Sequence, residues 1–222
     1  MKKFYNLLKT FPKIYRDIDS RKKNKIKNRK LALKFSKHYF DGDRNTGYGG
    51  YYYDGRWVNI AKSIIKRYNL KKNSKFLDIG CAKGFLMYDI LKISKHKIKV
   101  YGIDISRYAK SHAPPAVKRK IKICNCKKLP FKDNYFDFVI SINTIHNLNK
   151  NQCIESLKEI QRVSGGKAFV QVDAYTSTTE YKKFLDWMLT AKTFLTPKKW
   201  KELFEKAGYT GDYYWTILKS SK

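Results

Sequence analysis

The sequence has no apolar run near the ~20 residues that a membrane-crossing helix needs. Its first residues are basic, but charges and Pro12 interrupt any apolar stretch before it reaches the length of a secretory signal. Cysteine is scarce. Cys81, Cys124, Cys126 and Cys153 in 222 residues exclude a disulfide scaffold and predict reduced thiols of a cytoplasmic protein. Acidic side chains are also few, 18 against 49 Lys+Arg, for a formal net charge of +31. Within that excess arginine is rare, at nine residues. Arginine is the side chain suited to bidentate phosphate and base contacts, so the charge alone does not define a nucleic-acid-binding protein. A chain that is 42% hydrophobic and 15% aromatic can bury a full core, which excludes global disorder.

The charge is uneven. Residues 1–40 carry 14 basic and two acidic side chains, and seven of the ten residues from Arg21 to Lys30 are basic. Phe4, Leu7, Leu8, Phe11, Tyr15 and Ile18 recur at roughly helical spacing. We read 1–40 as a basic helical N-terminal extension. It either packs on the main domain with a solvated basic face or meets an anionic partner, a nucleic acid or a membrane surface. Residues 41–57 hold five glycines with Tyr48, Tyr51, Tyr52, Tyr53 and Trp57 and read as a lid or an ordered surface loop.

From residue 58 to 222 strands and helices alternate. Strands are expected at 75–80, 98–103, 120–124, 136–142, 168–173 and 213–218, and helices at 58–68, 85–93, 150–163, 180–193 and 197–207. This pattern implies an α/β, doubly wound, mainly parallel Rossmann-like sheet of six or seven strands with helices on both faces.

The informative unit is FLDIGCAKG, Phe76 to Gly84, followed by VYGIDIS, Val100 to Ser106. A strand enters a glycine turn that opens a helix, and Asp104 ends the next strand. In a doubly wound sheet these ends meet at the ligand crevice, where a carboxylate can take both ribose hydroxyls of a nucleoside. A dinucleotide fits poorly. Phe85 stands where close helix packing needs a small residue, and Asp78 would repel a pyrophosphate. A nucleoside with a cationic amino-acid end fits better.

LDIGCAKG (77–84), GIDIS (102–106), LPFKDNYFDFVIS (129–141) and INTIHNL (142–148) together resemble the class I S-adenosylmethionine (SAM)-dependent methyltransferases, in their small single-domain type, over residues 45 to 218. The resemblance implies SAM as cofactor, S-adenosylhomocysteine as product and no metal. It places Gly80, Cys81, Ala82 and Gly84 along the methionine part of SAM and Asp78 near its ammonium. Asp104 would take the ribose, Ile105 the adenine face, Asn125 and Cys126 the adenine edge, and Asn143 would lie near the amino-acid end and the methyl group. The chain departs from the family at Ala82, usually Gly, and at Asn125, commonly Asp. It also has few residues after Gly208, which predicts a sheet one strand short.

His146 follows the fourth strand and Asp173 ends the fifth. Each is a candidate general base, or a packed histidine and a loop carboxylate. Tyr53, Arg56 and Tyr175 are candidates for substrate binding, with an Arg56–Asp54 ion pair as the plainer reading of Arg56. Cys124 and Cys126 lack the second ligand pair of a zinc site. The expected function is methyl transfer to an oxygen or nitrogen of a small polar metabolite, such as a sugar or nucleotide-sugar. The alternatives are an RNA methyltransferase using the basic arm and a non-catalytic SAM-fold binding protein.

Overall fold

Strands made almost entirely of apolar residues must be covered on both faces, and that requirement builds the architecture. The computed structural model describes residues 3–12 and 16–218. It contains six strands: β1 (Lys75–Ile79), β2 (Lys99–Asp104), β3 (Ile121–Ile123), β4 (Phe138–Ile142), β5 (Ala168–Ala174) and β6 (Asp212–Ile217). They form one parallel sheet in the order β3-β2-β1-β4-β5-β6.

Successive side chains serve opposite faces. Phe76, Phe138, Ile140 and Phe169 pack beneath α4 (Val58–Arg67) and α5 (Phe85–Ile93), through Ile60, Ile64, Leu86 and Ile90. Leu77, Ile79, Val139 and Val170 pack against α8 (Lys150–Ser164) and α10 (Pro197–Lys206), through Leu157, Ile160, Trp200 and Phe204. Helix boundaries follow local chemistry. Asn149 and Gln152 form a reciprocal capping box on α8, which stops at Gly165 in the left-handed conformation. Thr196 caps α10 ahead of Pro197. Strand order reverses between β1 and β4, so a crevice opens at their carboxyl ends.

The helical extension expected over 1–40 is helical only in its second half. Residues 3–12 are not helical. Phe4 pairs with Tyr213 on the outer edge of β6, with Tyr5 N donating to Tyr213 O and Tyr213 N to Lys3 O, each at 3.0 Å. Leu7 is buried in the cluster below α4, and Phe11 packs on Trp57. The helical spacing of these residues reflects insertion of an irregular segment into two separate sites. Tyr15 lies outside the described residues. Beyond it come α1 (Ile18–Lys22), α2 (Lys25–Ala32) and α3 (Lys37–Phe40).

The sheet has no antiparallel strand among the described residues, and β6 lies directly beside β5. The helix expected at 180–193 is α9 (Thr178–Trp187), which is shorter. The peptide N–H groups of Lys192 and Thr193 instead donate to the His146 carbonyl, both at 2.9 Å.

Candidate active site

The crevice is a cavity of about 460 Å³. Its floor is made by the carboxyl ends of β1 to β4: Gly80 and Ala82, Ile103 to Ile105, Cys124 to Cys126, and Ile142 to Thr144. Gly80 has a left-handed φ of +76°, and a Cβ there would meet Thr144 Oγ1 at 2.0 Å. Only glycine lets the loop after β1 close against the loop after β4. Ala82, at the position where the resembled family has Gly, is left-handed too, with φ 51°. That conformation costs an alanine about 1 kcal/mol. A hydrogen bond from Ala82 N to Asp104 Oδ2 at 2.8 Å offsets it.

The other Asp104 oxygen, Oδ1, accepts from Ser106 N at 2.8 Å. Burial raises the Asp104 pKa, and the backbone donors of Ser106 and Ala82 pull against that rise. Asp78 lies behind the floor, fully buried. Burial and the nearby Asp104 carboxylate push its pKa up to about 8. Ile105 is 51% exposed at the rim, an apolar surface ready for a flat ligand. Cys126 is buried and accepts from Ser156 Oγ at 3.4 Å. Asn125 Oδ1 accepts from Lys127 N at 3.0 Å. Asn147 Oδ1, on a side chain of the cavity wall, is buried with no hydrogen-bond partner. An orphaned acceptor of this kind is costly unless a donor from a ligand meets it.

Of the residues expected around the cofactor, seven line the cavity: Gly80, Ala82, Asp104, Ile105, Asn125, Cys126 and Asn143. Asp78, Cys81 and Gly84 do not. Cys81 is buried beneath the loop, where burial raises its thiol pKa well above the usual range. Gly84 starts α5, packed toward Ile121 and Val117.

The proposed bases are not on the cavity. His146 sits in a 3₁₀ turn (Ile145–Asn147) and is only 5% exposed. Its Nδ1 accepts from Asp173 N at 3.2 Å and lies 3.7 Å from Asp173 Oδ2. Burial lowers the His146 pKa and raises that of Asp173. The pair joins the β4 turn to the end of β5 and faces the core, because both Ile145 and His146 of the tight turn are buried.

Tyr53, Arg56 and Tyr175 also miss the cavity. Tyr53 donates to Asp89 Oδ1 at 2.6 Å. Arg56 forms an ion pair with Asp54 at 2.7 Å. Tyr175 packs on Tyr181 and Phe194.

Apart from Tyr48, which belongs to the 41–57 segment read as a lid, the wall facing the floor comes from residues that sequence reasoning missed. Leu33, Phe35, Tyr39, Phe40 and Tyr48 line it, with Leu148, Gln152 and Lys192 at its sides. Ser106 Oγ donates to the Phe35 carbonyl at 2.6 Å, which holds this wall over the β2 end. Arg21 is 5% exposed and donates to the carbonyls of Arg44 and Gly47 while its guanidinium lies 3.7 Å over Trp187. The aromatic run at 39–53 was the available signal. Its partners 40 to 70 residues away were not.

A family described as a methyltransferase domain matches residues 77–170, from within β1 to the start of β5, the span holding β2, β3, β4 and the loops of the cavity floor. The chain carries a class I SAM-dependent methyltransferase domain. It is 33% identical over 129 residues to the sterol 4-C-methyltransferase of Caenorhabditis elegans, covering 54% of this chain and 36% of that protein. It is 29% identical over 115 residues to the demethylmenaquinone methyltransferase of Geobacillus stearothermophilus, covering 49% and 48%. The methyltransferase domain thus spans half or less of those curated relatives. Its fold matches the protein seen with the Haloferax volcanii Trm112 methyltransferase activator, with a TM-score of 0.56 at 18% identity over 88% of this chain and 77% of that one.

The residues present fit SAM. Asp104 and the exposed Ile105 suit a nucleoside, and Asn147 Oδ1 is an acceptor for an ammonium end. Among the described residues no group of His, Cys, Asp and Glu could hold a metal ion, and no helix is long and apolar enough to cross a membrane.

Proposed function

We propose that the chain methylates a small-molecule acceptor whose body is apolar, held between the crevice floor and the wall formed by residues 33–48. One observation carries this reading: the cavity joins the Asp104 crevice to a surface of Leu33, Phe35, Phe40, Tyr39, Tyr48 and Leu148. A sugar or nucleotide-sugar needs many polar partners, and this wall favours a ring-bearing or lipid-like acceptor instead. The names of the sterol and demethylmenaquinone relatives agree with it.

SAM supplies a methyl group on a sulfonium, which a nucleophile displaces in line. The residues of this chain position the two partners and exclude water. Asp104 orients the nucleoside, Ile105 and Cys126 give its base an apolar seat, and Asn143 and Asn147 border the amino-acid end. Burial raises the pKa of Tyr39, so it serves as a hydrogen-bond donor to the acceptor and not as a base.

The experiment is calorimetric titration with S-adenosylhomocysteine, using Asp104→Ala as control. The expected result is binding by the wild type, weakened by about 100-fold in the variant. A folded wild type that binds none overturns the reading.

A further inference from the structure

Helix α2 presents a face that nothing else in the described chain covers. Ile26 is 77% exposed and Leu33, at its C-cap, 38%. Lys27, Lys30 and Lys34 are exposed as well. At 100° per residue these five positions fall within about 120° of the helix surface. Residues 20–40 contain nine basic and no acidic side chains. The two arginines of that stretch are used inward. Arg21 lies over Trp187, and Arg29 donates to the Ala191 carbonyl at 3.2 Å. The outward charge is therefore lysine, set around two aliphatic side chains. This face borders the cavity, because Leu33 and then Phe35 line it.

We infer that α2 docks the protein on an anionic lipid surface, with Ile26 and Leu33 at the acyl boundary, the lysines on lipid phosphates and the cavity mouth turned to the bilayer. Lysines contribute by attraction to anionic headgroups, and each adds about fivefold to partitioning. Aliphatic side chains add burial at the acyl boundary, between the lysines that hold the headgroups. A nucleic acid would engage the same lysines but give Ile26 no role, since single strands are gripped by stacking on aromatic side chains. The inference rests on the proposed apolar acceptor. Such an acceptor partitions into membranes, and a mouth facing the bilayer admits it to the apolar wall without passage through water.

The test is co-sedimentation of the full chain with vesicles of phosphatidylglycerol and phosphatidylcholine, against vesicles of phosphatidylcholine alone. The expected result is binding to the anionic vesicles that weakens with salt. It should fall by about 100-fold in Lys27→Ala/Lys30→Ala/Lys34→Ala. It should also fall, by roughly tenfold, in Ile26→Asp at constant salt. S-adenosylhomocysteine titration of each variant reports folding and the cofactor site separately and should match wild type. Equal binding to both vesicle types, or none, overturns docking. So does binding to single-stranded RNA with unchanged affinity in Ile26→Asp, if the vesicle arm is equally indifferent to that variant. Vesicle binding without S-adenosylhomocysteine binding leaves docking in place and removes the methyltransferase reading.

Discussion

Lys83 Nζ lies 2.7 Å from both carboxylate oxygens of Asp41. Lys83 belongs to the loop between β1 and α5 that forms the cavity floor, and Asp41 follows α3 on the opposite wall. Asp41 also accepts from Tyr108 OH at 2.8 Å and from Tyr51 N at 3.1 Å. Burial alone would raise the Asp41 pKa, but Lys83, Tyr108 and Tyr51 outweigh it and hold the carboxyl below its ordinary value. One carboxylate thus ties the residue 41–57 segment, the glycine loop and α6 (Arg107–Ser111) together.

Asp41→Ala leaves the Lys83 ammonium buried without its partner. Its expected cost is about 2–3 kcal/mol in urea denaturation, with weaker S-adenosylhomocysteine binding as the wall loosens. Asp41→Leu with Lys83→Met removes both charges and should recover much of that stability. If Asp41→Ala is as stable as the wild type, the ion pair does not hold the wall.

Asp78 makes folding stability depend on pH. With its pKa at about 8 it is mostly protonated at neutral pH. Between its unfolded value near 3.8 and about 8 the folded chain holds a proton that the unfolded chain lacks. That contribution is complete below the lower value and is lost as pH climbs to the upper one. Urea denaturation checks this: wild-type stability should fall relative to that of Asp78→Asn as pH rises from about 5 to about 8, and parallel profiles would show that Asp78 is not held protonated.

His146→Ala should act on stability and leave chemistry alone. The imidazole is buried, neutral and bonded to Asp173 N, so its removal should cost about 2–3 kcal/mol. The methylation rate should stay within about threefold, with an unchanged pH profile. A rate loss of about 100-fold at unchanged stability would return His146 to the role of base.

The sheet was legible because a parallel strand is buried on both faces. FDFVISI reads as a continuous apolar run, and Phe138 to Ile142 is fully covered or nearly so. The crevice floor was legible because its residues sit at fixed offsets after the strands. Orientation was not. His146 follows β4 as expected, but a 3₁₀ turn directs it inward. The opposite wall was hidden because its contacts are distant in sequence. Phe35 meets Ser106 across 71 positions, and no local pattern announces that pairing. Phe4 to Phe11 misled for a related reason. Their spacing suits a helix, but their partners are a sheet edge and a gap beneath α4.

The edge pairing of Phe4 with Tyr213 imposes an order on synthesis. Lys3 and Asp212, which also meet there, are 209 residues apart in the chain. A ribosome adding about 5–20 residues per second needs roughly 10–40 s to make the second partner after the first. Through that interval Phe4, Leu7 and Leu8 wait on a basic, mostly unpaired segment.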